Sequence, residues 1–486
     1  MVDDKKWYVI DVKSSTINLI NGGEDISSKL LYVVYKSQVY IYTQALNNLL
    51  EEYGFSNGVT NAFILGKKYK YVFNKNTIVK KPFDSLGVID FKKDDSNGLC
   101  WENTIKKAIE WMNDLRTNWK TFKLNPINKD ELYPNMKNPY DKTYHGTKKQ
   151  IAYPNKEITL LWNCGISNRK LAWDKGIKKY DDPKLDASLL GFANTSKELI
   201  INTMLELLHG DSTYRFTKKN NSMGWQNKFG LEFFVDFETY STDSIYDENS
   251  DYDNTITSNQ IIYMVGISWI NSSSLSGSLS GSLSGSLSGN KPKLLHKSFV
   301  LDYANSNLLK TEFENNKQFD DVKYDDCIKC ANELELITKF YDFVLSFKPN
   351  GTSIENFKKN TRLIHWSHAE PVIFNKKIDE YGLDVNKFEL NWFDLLKVFK
   401  HDKYPIVIKE CFSFGLKEII KKLSHYDEIN LYWSDLDDGL LSSFIARDIY
   451  YNNSNNPNLN MYNIIEYNYI DCKALFELLN WMRSKI

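Results

Sequence analysis

The chain of 486 residues carries 61 Lys and Arg against 62 Asp and Glu, a formal net charge of −1, with 42 % hydrophobic and 14 % aromatic residues. This is ample core for two or three folded domains and excludes a disordered tail; the near-neutral balance excludes a globally basic molecule, leaving polyanion contact to local stretches such as GKKYKYVFNKNTIVKKP and RFTKKNNSMGWQNK. No apolar run approaches the roughly 20 residues that span a bilayer and the N-terminus has no signal-peptide pattern, so a soluble intracellular protein is expected, in the cytoplasm or at a nucleoid or replication site, with no membrane partner.

The chain opens with WYVIDVKSST, an alternating strand pattern that puts Asp11 and Lys13 on one face. SQVYIYTQALNNLL follows as a helix with Gln38 and Tyr42 spaced i, i+4 on one side, and NAFILGKKYKYVF as a further strand. This order resembles the RecB-type PD-(D/E)XK nucleases. The resemblance implies that Asp11 and Lys13 bind metal and position water, and that Gln38 and Tyr42 lie near the substrate. In that family a strand bearing another metal-binding aspartate precedes the Asp-x-Lys strand. Here only MVDDKK stands before Trp7, with Asp3 and Asp4 where the hairpin turn belongs, so a truncated or degenerate core with an open sheet edge is expected.

Next, KEITLLWNCGISNRKLAWDKGIKKYDDPKL places a Leu-Trp-Asn-Cys-Gly-Ile turn between helical stretches. It resembles a helix-hairpin-helix element, which implies phosphate contact through backbone N–H groups with Arg169, Lys170 and Lys175 adding charge. The alternative is a small helical spacer with solvated lysines.

LEFFVDFETY then reads as a buried strand whose alternation sends Asp236 and Glu238 to the same face, where two carboxylates repel unless a cation sits between them. IIYMVGISWI is the next strand, followed by a Ser-Leu-Ser-Gly repeat over 272–289 with no period that could bury a face, expected as a flexible loop. Glu370 in RLIHWSHAEPVIF and Asp394 in ELNWFDLLKVF are further acidic candidates, while His365 and His368 read as packing or hydrogen-bonding residues. Trp366 and Trp392 read as core, with base stacking as the alternative. Near the C-terminus, IIEYNYIDCKALFELLNWM has helical periodicity with Tyr467 and Asp471 at i, i+4 on one face. Hard oxygen ligands of this kind suit Mg²⁺ or Mn²⁺.

DFET first and Tyr-x-x-x-Asp last, with SFGLKEIIKKL between, resemble the tyrosine-type DEDD exonucleases of the RNase H-like fold. The resemblance covers roughly residue 230 onward. It implies two ions ~3.5–4 Å apart held by Asp236, Glu238, Asp471 and either Glu370 or Asp394, with Tyr467 orienting the attacking water. It also implies 3′–5′ removal of nucleotides from DNA or RNA with a single-stranded end. Most such enzymes carry aspartate where this chain has Glu370, and the middle ligand stays open between Glu370 and Asp394. The whole order is similar to RecB-family nucleases fused to an RNase H-like domain.

The expected fold is therefore multidomain α/β: a partial PD-(D/E)XK α/β core over 1–125, a small helical domain over 126–225, and an RNase H-like mixed sheet flanked by helices over 226–486. Cys327 and Cys330 form the one C-x-x-C pair, and the other cysteines supply no second pair, so no iron–sulfur cluster is expected. A rival reading is a non-catalytic nucleic-acid-binding or scaffold protein in which both nuclease folds have decayed. A third keeps the N-terminal half as a live endonuclease.

Overall fold

The computed structural model describes residues 6–27, 30–55, 58–74, 76–91, 100–138, 142–216, 224–241, 260–270, 294–302, 306–315, 321–433, 439–452 and 460–485. The chain is mixed α/β and divides into two compact units, Met1–Tyr133 and Pro134–Ile486. Asp3, Asp4 and the Ser-Leu-Ser-Gly segment over 272–289 lie outside the described residues.

The first unit contains β1 (Trp7–Ile20), β2 (Asp25–Ile26), α1 (Leu30–Glu52), β3 (Val59–Phe73), β4 (Asn76–Lys80), β5 (Gly87–Ile89) and α2 (Trp101–Asn118). β1 runs parallel to β3, and β4 and β5 are both antiparallel to β3. Ile17, Leu19, Ala62, Ile64 and Tyr69 of the sheet meet Tyr32 and Val39 of α1 in one core. The described strands pair with β1 only through β3 and, at Leu19 and Ile20, through β2. Tyr8, Ile10 and Val12 on its other face are 48 %, 50 % and 69 % exposed, so this face of β1 is uncovered.

The second unit begins with α3 (Lys142–Asn155), α4 (Ile166–Asp174), α5 (Glu198–His209) and β6 (Tyr214–Arg215). There follow β7 (Leu231–Ser241), β8 (Gln260–Ile270), β9 (Leu294–Leu301), α6 (Ser306–Asn315), β10 (Cys327–Cys330), α7 (Glu333–Ser346), α8 (Ile354–Asn360) and β11 (Thr361–His365). The remainder is α9 (Ala369–Glu380), α10 (Val385–Phe388), β12 (Trp392–Asp394), α11 (Leu395–Phe399), β13 (Val407–Ile408), α12 (Leu416–His425), α13 (Gly439–Asn452) and α14 (Met461–Ser484).

Six strands form one sheet in the order β10-β9-β8-β7-β11-β12. β8 lies between β7 and β9 and runs antiparallel to both, whereas β11 runs parallel to β7 and β12 parallel to β11. Alternation along β7 sorts its side chains. Phe233, Val235 and Phe237 enter a core with Phe340 of α7 and Phe374 of α9. The even positions face α14, and their contacts fix its course. Glu232 binds Arg483, Phe234 meets Phe476 edge-on at 5.4 Å, and Asp236 accepts from Asn468, so α14 runs back along β7. Against the cost of burial, Arg483 and Arg362 hold the Glu232 carboxyl below its usual value, which anchors the far end of the pair.

Of the segment read from sequence as a helical domain over 126–225, residues 134–225 fall in this second unit and 126–133 in the first. Trp162 and Tyr180 pack edge-on against Phe414 and Phe412, and Lys137 donates to the Phe412 carbonyl. These contacts brace the 411–415 segment that leads into α12. All six cysteines are free, and Cys327 and Cys330 lie on β10.

Candidate metal centre

Asp236, Glu238 and Asp471 each offer a carboxylate oxygen within 4.8 Å of the others, the one grouping of three or more close metal-ligating side chains among the described residues. Two come from alternate positions of β7 and one from the face of α14 that crosses it. This donor set, all hard oxygen, fits a divalent cation such as Mg²⁺ or Mn²⁺.

Each carboxylate also receives neutral hydrogen bonds, Glu238 from Asn468 and Asp471 from Tyr467 besides those that follow. Asn468 Nδ2 donates to Asp236 Oδ2 at 2.8 Å, Ser442 Oγ to Glu238 Oε2 at 2.9 Å, and Trp433 Nε1 to Asp471 Oδ1 at 2.9 Å. Such donors orient acids without cancelling their charge. Burial, with mutual repulsion added, pushes the Glu238 carboxyl up to about 8. Burial likewise raises Asp471 to about 6, although Lys417 and the Trp433 hydrogen bond pull it back. Asp236 is raised well above the carboxylate range by burial and by Asp471 and Glu238. Two buried acids and a half-buried one that resist ionisation together form a site whose charge a cation would balance.

Tyr467, one turn before Asp471, is buried beside the triad, and burial and the neighbouring carboxylates raise its phenol far above its ordinary value. Lys417, in the first turn of α12, donates to the Tyr467 hydroxyl at 2.6 Å. Its charge also favours the ionised forms of all three acids. Sequence reasoning quoted the helix that carries Lys417 but gave the residue no role.

The two middle acids separate. Glu370, in the first turn of α9, is buried next to His365 at 3.2 Å and adds to the repulsion felt by Asp236 and Asp471. Asp394 is occupied elsewhere. Its Oδ1 accepts from Leu396 N at 3.0 Å, capping α11, and from Ser367 N at 3.1 Å. Ser367 has φ 82, a left-handed conformation that the Asp394 hydrogen bond helps hold. His365 is buried, and His368 is exposed ahead of α9. Trp366 donates to the Phe414 carbonyl at 3.0 Å and packs on Phe399, while Trp392 packs among Phe237, Phe374 and His365. Both rings are engaged in packing rather than presented for stacking.

In the first unit, the four residues singled out from sequence do meet. Lys13 pairs with Asp11 at 2.8 Å and donates to Gln38 Oε1 at 2.7 Å, and Gln38 donates to Tyr42 at 2.5 Å. Asp11 belongs to no close group of three ligands among the described residues.

Arg169 corrects the expectation of a phosphate contact. It is buried, paired with Glu157 at 3.0 Å and bound to the Pro134 carbonyl, because α4 turns this position inward onto the preceding turn. Lys170, near Asp174 at 3.6 Å, and Lys175 remain on the surface. No helix among the described residues is long and apolar enough to cross a membrane. Comparison with known families finds no family model that matches the chain, and comparison with curated proteins finds no match.

Proposed function

We propose that the second unit is a metal-dependent phosphodiesterase of the RNase H-like type, removing nucleotides from a 3′ end of DNA or RNA. The observation that carries this reading is the convergence of Asp236, Glu238 and Asp471 within 4.8 Å, with Tyr467 beside them. A six-stranded sheet in which β7 pairs antiparallel with β8 on one side and parallel with β11 on the other, with β12 parallel beyond, supports the fold assignment. Asp236, Glu238 and Asp471 would hold Mg²⁺ or Mn²⁺, with Glu370 as the further acid and Asp394 left to its helix cap. Bound there, the cations would supply Lewis acidity at the phosphoryl group and make the attacking water more acidic.

The chain's own residues do the rest. The raised phenol of Tyr467 stays protonated across physiological pH, so it donates a hydrogen bond to an oxygen at the site rather than acting as a base. Lys417 donates to the phenol oxygen while the phenol hydrogen-bonds Asp471, so the hydroxyl is held at the metal centre, where it would turn its proton to the water or the phosphate once a cation claims the Asp471 carboxylate. The lysine also adds a positive charge beside the position where phosphoryl charge accumulates.

A second reading, a nucleic-acid-binding protein without turnover, is favoured by the first unit, where Lys13 already neutralises Asp11. End-labelled single-stranded DNA and RNA with Mg²⁺ or Mn²⁺ separate the two. Laddering from the 3′ end, abolished by EDTA and by Asp236→Asn in a folded protein, is expected. Cleavage that survives Asp236→Asn refutes the site, and binding without cleavage favours the second reading.

A further inference from the structure

We propose that Asn468 is a positioning residue for the metal centre and that Gly266 is the notch that allows it to act; the inference rests on the metal-centre reading above. Asn468 is fully buried on α14, between Tyr467 and Asp471. Its Nδ2 donates to both the Asp236 carboxylate, at 2.8 Å, and the Asp236 carbonyl, at 3.2 Å. Two acceptors on one nitrogen fix which end of the amide faces the acid.

The other end is then forced toward β8. Asn468 Oδ1 finds no hydrogen-bond donor there among the described residues, and a buried acceptor left unpaired is costly. It occupies the space that a side chain at position 266 would fill, because a Cβ on Gly266 would lie 1.8 Å from Oδ1 and 2.9 Å from Cγ. Gly266 is the direct cross-strand partner of Asp236. The glycine, the amide and the acid thus form one stack from β8 through α14 to β7.

An apolar side chain at 468 would avoid the unpaired oxygen and release Asp236. A lysine or arginine would hold Asp236 but compete with a cation for its charge. Asparagine holds the carboxylate's rotation and leaves its charge available. The close approach also explains a glycine inside the strand IIYMVGISWI, where it otherwise weakens the sheet.

The test is Mn²⁺ affinity of the full chain, read by the EPR signal of free Mn²⁺, against melting temperature in EDTA. Asn468→Ala is expected to weaken Mn²⁺ binding by about 10–100-fold. Gly266→Ala should weaken it comparably, since its methyl group displaces the amide. In the double variant the clash with the amide is gone and only His296 Cε1, at 3.1 Å, remains near the methyl, so Gly266→Ala should cost little further in affinity. Equal losses from Gly266→Ala in both backgrounds would overturn the notch, and parent-like affinity in folded Asn468→Ala would overturn the positioning role. Should Asn468→Ala not fold, Asn468→Ser, too short to reach Asp236, replaces it with the same expectation and the same refutation. A parent that binds no Mn²⁺ removes the metal centre itself and the proposal with it, whereas a binding parent with unaffected variants condemns the proposal alone.

Discussion

Replacing Glu238 with glutamine should stabilise the metal-free protein while destroying its metal site, the reverse of the usual outcome for a buried polar position. The three carboxylates lie within 4.8 Å of one another, and two full charges at that distance repel by about 3.5 kcal/mol at an effective dielectric near 20. Glutamine keeps an oxygen for the Ser442 hydroxyl and turns an N–H₂ toward the remaining acids. Because the acids share protons, the realised gain is about 2–3 kcal/mol at alkaline pH.

The sign with pH follows from proton uptake. Glu238 at about 8 and Asp471 at about 6 hold protons that the unfolded chain has released. The folded state therefore binds more protons, and metal-free stability falls as pH rises from the ordinary carboxylate range through about 8. Differential scanning calorimetry in EDTA should place Glu238→Gln about 3–5 °C above the parent at pH near 8.5, with the gap closing toward pH near 5. Saturating Mn²⁺ should raise the parent and not the variant. A variant that melts below the parent at alkaline pH, or a gap that widens in acid, refutes the electrostatic account.

Tyr467→Phe should lower kcat by about 10²-fold with Mn²⁺ affinity nearly unchanged, and the parent's pH–rate profile should show no alkaline limb from the phenol below pH about 10. Asp394→Ala should cost about 1 kcal/mol in urea unfolding through its lost cap, with metal affinity intact. Glu370→Gln should do the opposite, weakening Mn²⁺ binding in calorimetric titration without lowering the unfolding midpoint; identical profiles for the two variants would undo their separation.

The parts of the site that could be read from sequence were those set by local periodicity. Asp236 and Glu238 share a face because a strand alternates, and Tyr467 and Asp471 because a helix turns in about 3.6 residues. The hydrogen-bonding shell was not visible, since Ser442 reaches Glu238 across a separation of 204 positions and no local pattern encodes that meeting. Gly266 did leave a signal, an interior glycine in an otherwise apolar strand, but only the position of α14 gives it meaning. Arg169 misled in the other direction. A basic residue beside Lys170 resembles solvated charge, and only the fold shows that Glu157 waits for it in the interior. The choice between Glu370 and Asp394 needed the turn at Ser367, whose backbone claims Asp394.

The course of α14 against β7 also governs when function can appear. Asp236 and Asn468 are separated by 232 positions, so the centre depends on one of the most non-local encounters in the chain. Closing so long a loop is entropically expensive, and contacts of that kind tend to form late. A nascent or partly folded molecule with its sheet in place but α14 undocked has two acids without their third, and no phenol. Such a molecule lacks a complete metal centre before it is finished, and in refolding from denaturant, cation binding should return after the helical signal of α14 itself.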